Sequence, residues 1–231
     1  MAKTRKTYTP KDPAPLSRVV VIWLGIFAAS SVIFIAATGP EIQSLAALPQ
    51  DASYDSGTTP VDLIFAGGDL LQLLAFLVSG FLILKWTYRV SRNANALAGG
   101  LKTTPPWAVG WYFVPIGCLW KPYQAMRQIW QVSVRPNGWR TVPTPSIMGW
   151  WWAAWLIGNF AGNISFRMTV EQHTNAIELW SDYVLLVDTA AHTIAAVLLI
   201  MVVRRISALQ VATLAADAFG PSEVTPVPVW A

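Results

Sequence analysis

Apolar residues run through this chain in long blocks, and polar residues gather in the short stretches between them. Residues 19–38 form an unbroken apolar run that ends at Gly39-Pro40. At about 1.5 Å per residue such a helix covers roughly 30 Å, the hydrocarbon thickness of a bilayer. The apolar region of a secretory signal peptide is only about 7–15 residues, so the run reads as an uncleaved anchor. A second block opens at Thr59-Pro60-Val61-Asp62, a capping box with proline at the first helical position, and continues to residue 84. Asp62 is then a cap carboxylate at the positive end of a helix. Lys85, Trp86, Tyr88, Arg89 and Arg92 follow as an aromatic and basic exit, and Gly99-Gly100 is the expected stop. Residues 147–166 and 183–203 are the third and fourth blocks. The third is opened by Trp150-Trp151-Trp152 and Trp155. Its Ala154, Gly158 and Gly162 make two consecutive small-xxx-small steps, which let a neighbouring helix approach closely. The fourth is closed by Arg204-Arg205.

The stretch between the second and third blocks differs from all four. Residues 105–120 are rich in Trp and Pro, and their uncharged length is at the lower limit for a crossing. The pattern predicts a re-entrant hairpin that enters and leaves on one side. After Trp120, Met126, Ile129, Trp130 and Ser133 share one helical face, while Gln124, Gln128, Gln131 and Arg135 share another. That spacing predicts an amphipathic helix lying in the interface, ended by Pro136-Asn137-Gly138. The fold class expected is an all-α integral membrane protein. Four transmembrane helices carry the re-entrant hairpin and the interfacial helix, 105–135, between the second and third. Residues 1–18 read as a basic flexible arm, 19–205 as the membrane bundle and 206–231 as a cytoplasmic tail, Pro-rich and disordered after Asp217.

Composition agrees with a membrane and excludes other settings. The 231 residues are 54% hydrophobic and 12% charged, with 13 Trp, and the mean hydropathy is +0.45. A soluble domain carries about a quarter charged residues. The net charge of +4 does not mark a nucleic-acid binder, because the basic residues flank apolar blocks and make no continuous basic face. Cys118 is the only cysteine, which excludes an intrachain disulfide and a cysteine-based metal site. Of the 16 Lys and Arg, only Arg167 falls outside the arm, the 85–140 region and Arg204-Arg205. Positive charge stays in the cytoplasm, so both termini are expected there.

The central residues also carry a likeness. Pro106-Trp107-Ala-Val-Gly-Trp111-Tyr-Phe-Val-Pro115-Ile, then Leu119-Trp120-Lys121-Pro122-Tyr123-Gln-Ala-Met126-Arg127-Gln-Ile-Trp130, resembles the bacterial "domain of unknown function 4328" family. Tyr88-Arg89-Val-Ser-Arg92-Asn93 is similar to that family's exit from its preceding span. The resemblance covers residues 60–205 and implies a multi-pass bacterial membrane protein. It brings no activity, cofactor or catalytic residue. Cys118 departs from the polar residue expected at its position.

Candidate chemistry is sparse. No GxxxxGK[ST], HExxH, GxSxG or CxxC occurs, and no catalytic residue or metal ligand is assigned. His173, in an external loop, and His192, within a span, make a poor bis-His haem pair, and no cofactor is expected. The strongest signal is polar residues inside apolar blocks: Asp69 and Gln72, Asn159 and Asn163, Asp188 and His192. Asp188 and His192 share a helix face at i,i+4. At 1.5 Å per residue, Gln72 and Asp69 lie about 20 and 24 Å from Lys85, His192 and Asp188 about 18 and 24 Å from Arg204, and Asn159 and Asn163 about 14 and 20 Å from Trp150. Their depths overlap, so mutual pairing is the low-energy arrangement. The second candidate is an interfacial platform of Trp107, Trp111, Trp120, Lys121, Tyr123, Arg127 and Trp130. It suits membrane lipids, anionic ones included, or a protein partner. The function read from the chain is a non-enzymatic lipid- or partner-binding platform. The alternative is a small transporter or proton-conducting protein using the Asp/His cluster. In cysteine-labelling experiments, positions near Asp51 and Gln172 should react from outside, and positions near Lys102, Asn137 and Asp217 from the cytoplasm. Periplasmic labelling at Asn137 would exclude a re-entrant hairpin.

Overall fold

The computed structural model describes residues 8–53, 60–171 and 174–219; within these, the side chains of 60–66, 69, 169, 171 and 217–219 lie outside the description. Thr59, the Asp62 side chain, His173 and residues 220–231 therefore fall outside it, and with them the expected capping box and the disordered tail. Six α-helices follow in order: α1 Ala14–Ala46, α2 Pro60–Leu97, α3 Pro105–Gly110, α4 Lys121–Val134, α5 Ser146–Glu171 and α6 Asn175–Phe219. Short 3-10 turns lie at Trp111–Phe113, Gly117–Leu119 and Trp139–Thr141. Three stretches among the described residues are long and apolar enough to cross a membrane: Ala14–Ala46, Leu70–Leu97 and Asn175–Ala216. α5, Ser146–Glu171, is long as well but is not among these three; it carries four Trp, Asn159, Asn163 and Arg167. Large apolar side chains such as Ile33, Leu71 and Phe166 stand on the outer surface, as lipid-facing helices require.

Two expected boundaries are corrected. α1 does not stop at Gly39-Pro40; it runs through Pro40 to Ala46. Proline removes one backbone donor, yet its fixed φ is already helical. Hydroxyls of this segment bond back to carbonyls, Thr38 Oγ1 to Phe34 O at 3.0 Å and Ser44 Oγ to Pro40 O at 3.0 Å. Ser and Thr side chains of this kind are how apolar helices tolerate proline. Nor does the chain leave its last helix at Arg204-Arg205. α6 continues to Phe219, with Ile206, Ser207, Leu209 and Gln210 buried, so residues 206–210 join the core and the chain after Arg205 is helix and not a tail.

The chain divides into two compact units, each described here by itself. The first comprises Met1–Ile22, Gly80–Gly149 and Leu199–Ala231. Its core contains Trp86, Val90, Met126, Ile129, Val202, Val203 and Ile206. The Trp86 indole N–H donates to Ser207 Oγ at 3.0 Å. α4 buries Met126, Ile129, Trp130 and Ser133 together, and Gln131 beside them. An interfacial helix would give that face to lipid; α4 gives it to protein. Trp130 is 1% exposed and donates to Pro143 O at 3.2 Å, and Gln131 Nε2 donates to Val142 O at 2.8 Å. The segment after the turn thus lies across α4 and uses its polar groups.

Two fully buried amides organise this unit. Asn93 Nδ2 donates to Gln210 Oε1 at 2.9 Å and to Lys11 O at 2.8 Å, while its Oδ1 accepts the Lys11 N–H at 2.9 Å. Gln210 Nε2 donates to Val90 O at 3.0 Å and to Ser133 Oγ at 3.1 Å. This network pins residue 11 of the arm to α2, and Asp12 Oδ1 then accepts the Ala14 N–H at 2.8 Å where α1 begins. The described part of the arm is therefore tethered and not flexible.

The second unit comprises Trp23–Ser79 and Trp150–Leu198. Its α1–α2 connection is stapled to the start of α6. Ser53 and Thr174 form an antiparallel bridge, and Asn175 donates its N–H to Ala52 O at 3.1 Å and its Nδ2 to Pro49 O at 2.8 Å. Ser165 and Ser181 place their hydroxyls 3.0 Å apart between α5 and α6.

Gln210→Ala strands one Asn93 N–H, and an unsatisfied buried group costs about 1–3 kcal/mol. Thermal unfolding in detergent should show a lower midpoint for Gln210→Ala. Adding Asn93→Ala should cost less than the sum of the two single changes, because both break one network.

Candidate functional site

In the second unit α5 and α6 run antiparallel at close range. A Cβ at position 158 would lie 2.6 Å from Cε1 and Nδ1 of His192, and one at 162 would lie 3.1 Å from Oδ1 of Asp188. Only glycine leaves this space. The two glycines and the two ionisable side chains each repeat at i,i+4, so one ladder of two rungs fits the other. Asp188 Oδ1 lies 2.7 Å from His192 Nδ1, and both side chains are largely shielded. The contact is an ion-pair distance without hydrogen-bond geometry, since Asp188 Oδ1 accepts no hydrogen bond among the described residues; the ring's other nitrogen is Nε2. Asn159 Nδ2, which donates to Trp155 O at 2.7 Å, stands 3.4 Å from that Nε2. Phe76 of α2 meets the imidazole edge-on, with centroids 5.8 Å apart.

A cavity of about 450 Å³ opens on this pair. Gln72 of α2, Asn159 and Asn163 of α5, and Asp188 and His192 of α6 all line it. Asn163 Nδ2 donates to Asn159 O at 2.8 Å. Gln72 also reaches α1: its Nε2 donates to Ser31 Oγ at 2.6 Å, and its Oε1 accepts from Ser30 Oγ. Phe27, Phe34 and Leu73 give the remaining wall an apolar character. Three helices thus bring five of the six singled-out polar residues to one space. The sixth, Asp69, has its side chain outside the description. Ser30 and Ser31 had not been singled out, although a Ser-Ser pair in the middle of an apolar run was visible as a signal.

The platform residues divide. Trp107 and Trp120 are exposed, and the rings of Trp107 and Trp111 lie 4.7 Å apart. Lys121 Nζ sits 5.5 Å over the Trp111 ring, a cation–π contact, and Arg127 is exposed. Tyr123 is half-buried, and Trp130 is in the core. At the tip between them, Ile116 has φ +63° and ψ −51°, and Gly117 donates its N–H to Pro115 O at 2.6 Å. That is the rarer, strained hand of γ-turn, on a β-branched residue.

Residues 58–208 match the family described as Domain of unknown function (DUF4328). The chain belongs to this family. No curated protein matches it, and no solved structure does. The DUF4328 region takes in Gln72, Asn159, Asn163, Asp188 and His192, and also the central Trp- and Pro-rich segment. α1, with Phe27, Ser30 and Ser31, and the amide Gln210 lie beyond it. Among the described residues no group of three His, Cys, Asp or Glu is placed to hold a metal ion.

Gly158→Ala should force the imidazole off Asp188 and lower the thermal midpoint in detergent, by the roughly 1–3 kcal/mol typical of overpacking. In a His192→Ala background the same change should be close to neutral. An equal penalty in both backgrounds would show that the imidazole is not what Gly158 accommodates.

Proposed function

We propose that this protein is a non-enzymatic, multi-pass protein of the bacterial inner membrane that takes a proton or a small polar solute into the Asp188–His192 pocket. α1, α2, α5 and α6 are its four spans, and both termini are cytoplasmic. The 26 residues of α5 give about 39 Å at 1.5 Å per residue, enough to cross. The distribution of Lys and Arg supports the orientation.

The observation that carries this reading is the convergence of five polar side chains from three helices on one cavity of about 450 Å³. Its size and its mixture of apolar wall and few polar groups suit a small-molecule site. Ionisable groups within apolar helices are costly, and those that persist mark pathways or relays. His192 is the group that gains and releases a proton at Nε2. Asp188 stands beside the imidazole's Nδ1, and Asn159 is its neighbour on the other side.

A second reading is favoured by the strained tip at Ile116. Phe113 and Ile116 are 72% and 71% exposed, beside exposed Trp107 and Trp120. An apolar tip among tryptophans suits a re-entrant hairpin that dips into the bilayer, with the exposed basic residues, Arg127 among them, serving as a platform for lipid or a protein partner. The two readings separate in proteoliposomes. Dissipation of an imposed pH gradient should exceed that of protein-free vesicles, and His192→Ala and Asp188→Asn should abolish the excess. Leakage equal to empty vesicles would remove proton passage and leave the platform.

A further inference from the structure

Away from the Asp188–His192 pocket, in the first unit, four cations surround a second cavity of about 430 Å³: Lys11, Lys85, Arg89 and Arg92. Leu16, Phe81, Leu84 and Val109 form its apolar side. The arrangement along α2 is ordered. Phe81, Leu84 and Lys85, Tyr88 and Arg89, and Arg92 recur at three- and four-residue intervals, so they share one face. That face changes from apolar to cationic over 11 residues, about 16 Å.

We propose that this cavity binds one anionic phospholipid, with its phosphate among the four cations and its upper acyl chains along Phe81, Leu84 and Leu16. No carboxylate of the described residues forms an ion pair with any of the four cations. The nearest acid in sequence, Asp12, spends its Oδ1 on the Ala14 N–H. The site is also built in advance. Arg89 Nη1 donates to Asp12 O at 3.2 Å and Arg92 Nη2 to Thr9 O at 3.3 Å. Each guanidinium has five donors, so most remain for phosphate oxygens. Lys11 is held by the two bonds between its backbone and Asn93. Lys85 Nζ lies 5.4 Å from the Phe81 ring centroid, at the boundary of the apolar and charged halves. A free phosphate would use only the charged half. The apolar half continues the long apolar stretch of α2, and an amphiphile with an anionic head matches both. The site shares no residue with the proton or solute pocket and does not depend on that reading.

Native mass spectrometry of the full chain, extracted in mild detergent and titrated with phosphatidylglycerol, tests the assignment. One phosphatidylglycerol should remain bound at activation energies that strip phosphatidylcholine. Lys85→Gln should weaken retention about tenfold, and Lys85→Gln with Arg89→Gln and Arg92→Gln should abolish it. The Lys85 side chain makes no hydrogen bond among the described residues, so its single variant keeps the arm tethered and the fold testable by an unchanged thermal midpoint. Lys102→Gln, a cation outside the cavity, should retain lipid like the parent chain. Equal loss in Lys102→Gln, or equal retention of phosphatidylcholine, would overturn the proposal in favour of nonspecific adsorption. Displacement of the lipid by millimolar inorganic phosphate would overturn it in favour of a free-phosphate site.

Discussion

Two glycines one helical turn apart set how close α6 comes to α5, and the second unit depends on that distance. Without side chains at Gly158 and Gly162, His192 and Asp188 lie flat against a neighbouring backbone. Apolar surroundings offer polar groups no water, so each must find a protein partner. Asp188 and His192 already meet within α6, and the close approach adds Asn159 of α5 beside the imidazole and a cavity whose walls share the rest. A bulkier interface would hold the helices apart and take Asn159 away from the imidazole. Packing and electrostatics are therefore one constraint here, and the pocket is what remains of the space between helices that have met it.

The first unit solves a similar problem with amides. Asn93 and Gln210 each serve as donor and acceptor, and together they connect the arm, α2, α4 and α6. Neither amide carries a charge, so the network is buried without a desolvated ion. Its effect is positional. It fixes where Lys11 stands, and that in turn decides which cations share a cavity.

How much of this the chain revealed depended on the range of the interaction. Long apolar blocks are local signals, and α1, α2, α5 and α6 were legible from them. The Gly158 and Gly162 spacing was legible for the same reason, because small residues at i,i+4 define one helix face. Pro40 reads as a stop by the propensity of an isolated helix, whereas this helix has hydroxyls bonded back to its carbonyls. The periodicity of α4 identified its apolar face correctly but could not say whether lipid or protein covers it. The segment around Pro143, which takes the Trp130 bond, decided that from 13 residues away. Gln210 was illegible. It lay beyond a pair of arginines that looked like the end of a span, and its partner was 117 positions earlier.

That separation has a consequence for biosynthesis. At a translation rate of about 5–20 residues per second, Gln210 leaves the ribosome roughly 6–23 s after Asn93. Throughout that interval one Asn93 N–H lacks its Gln210 partner, although both bonds from Asn93 to Lys11 can already form. The last helix to emerge completes the polar partnering of α2. A nascent chain interrupted before Gln210 therefore carries an Asn93 N–H that only the last helix can satisfy.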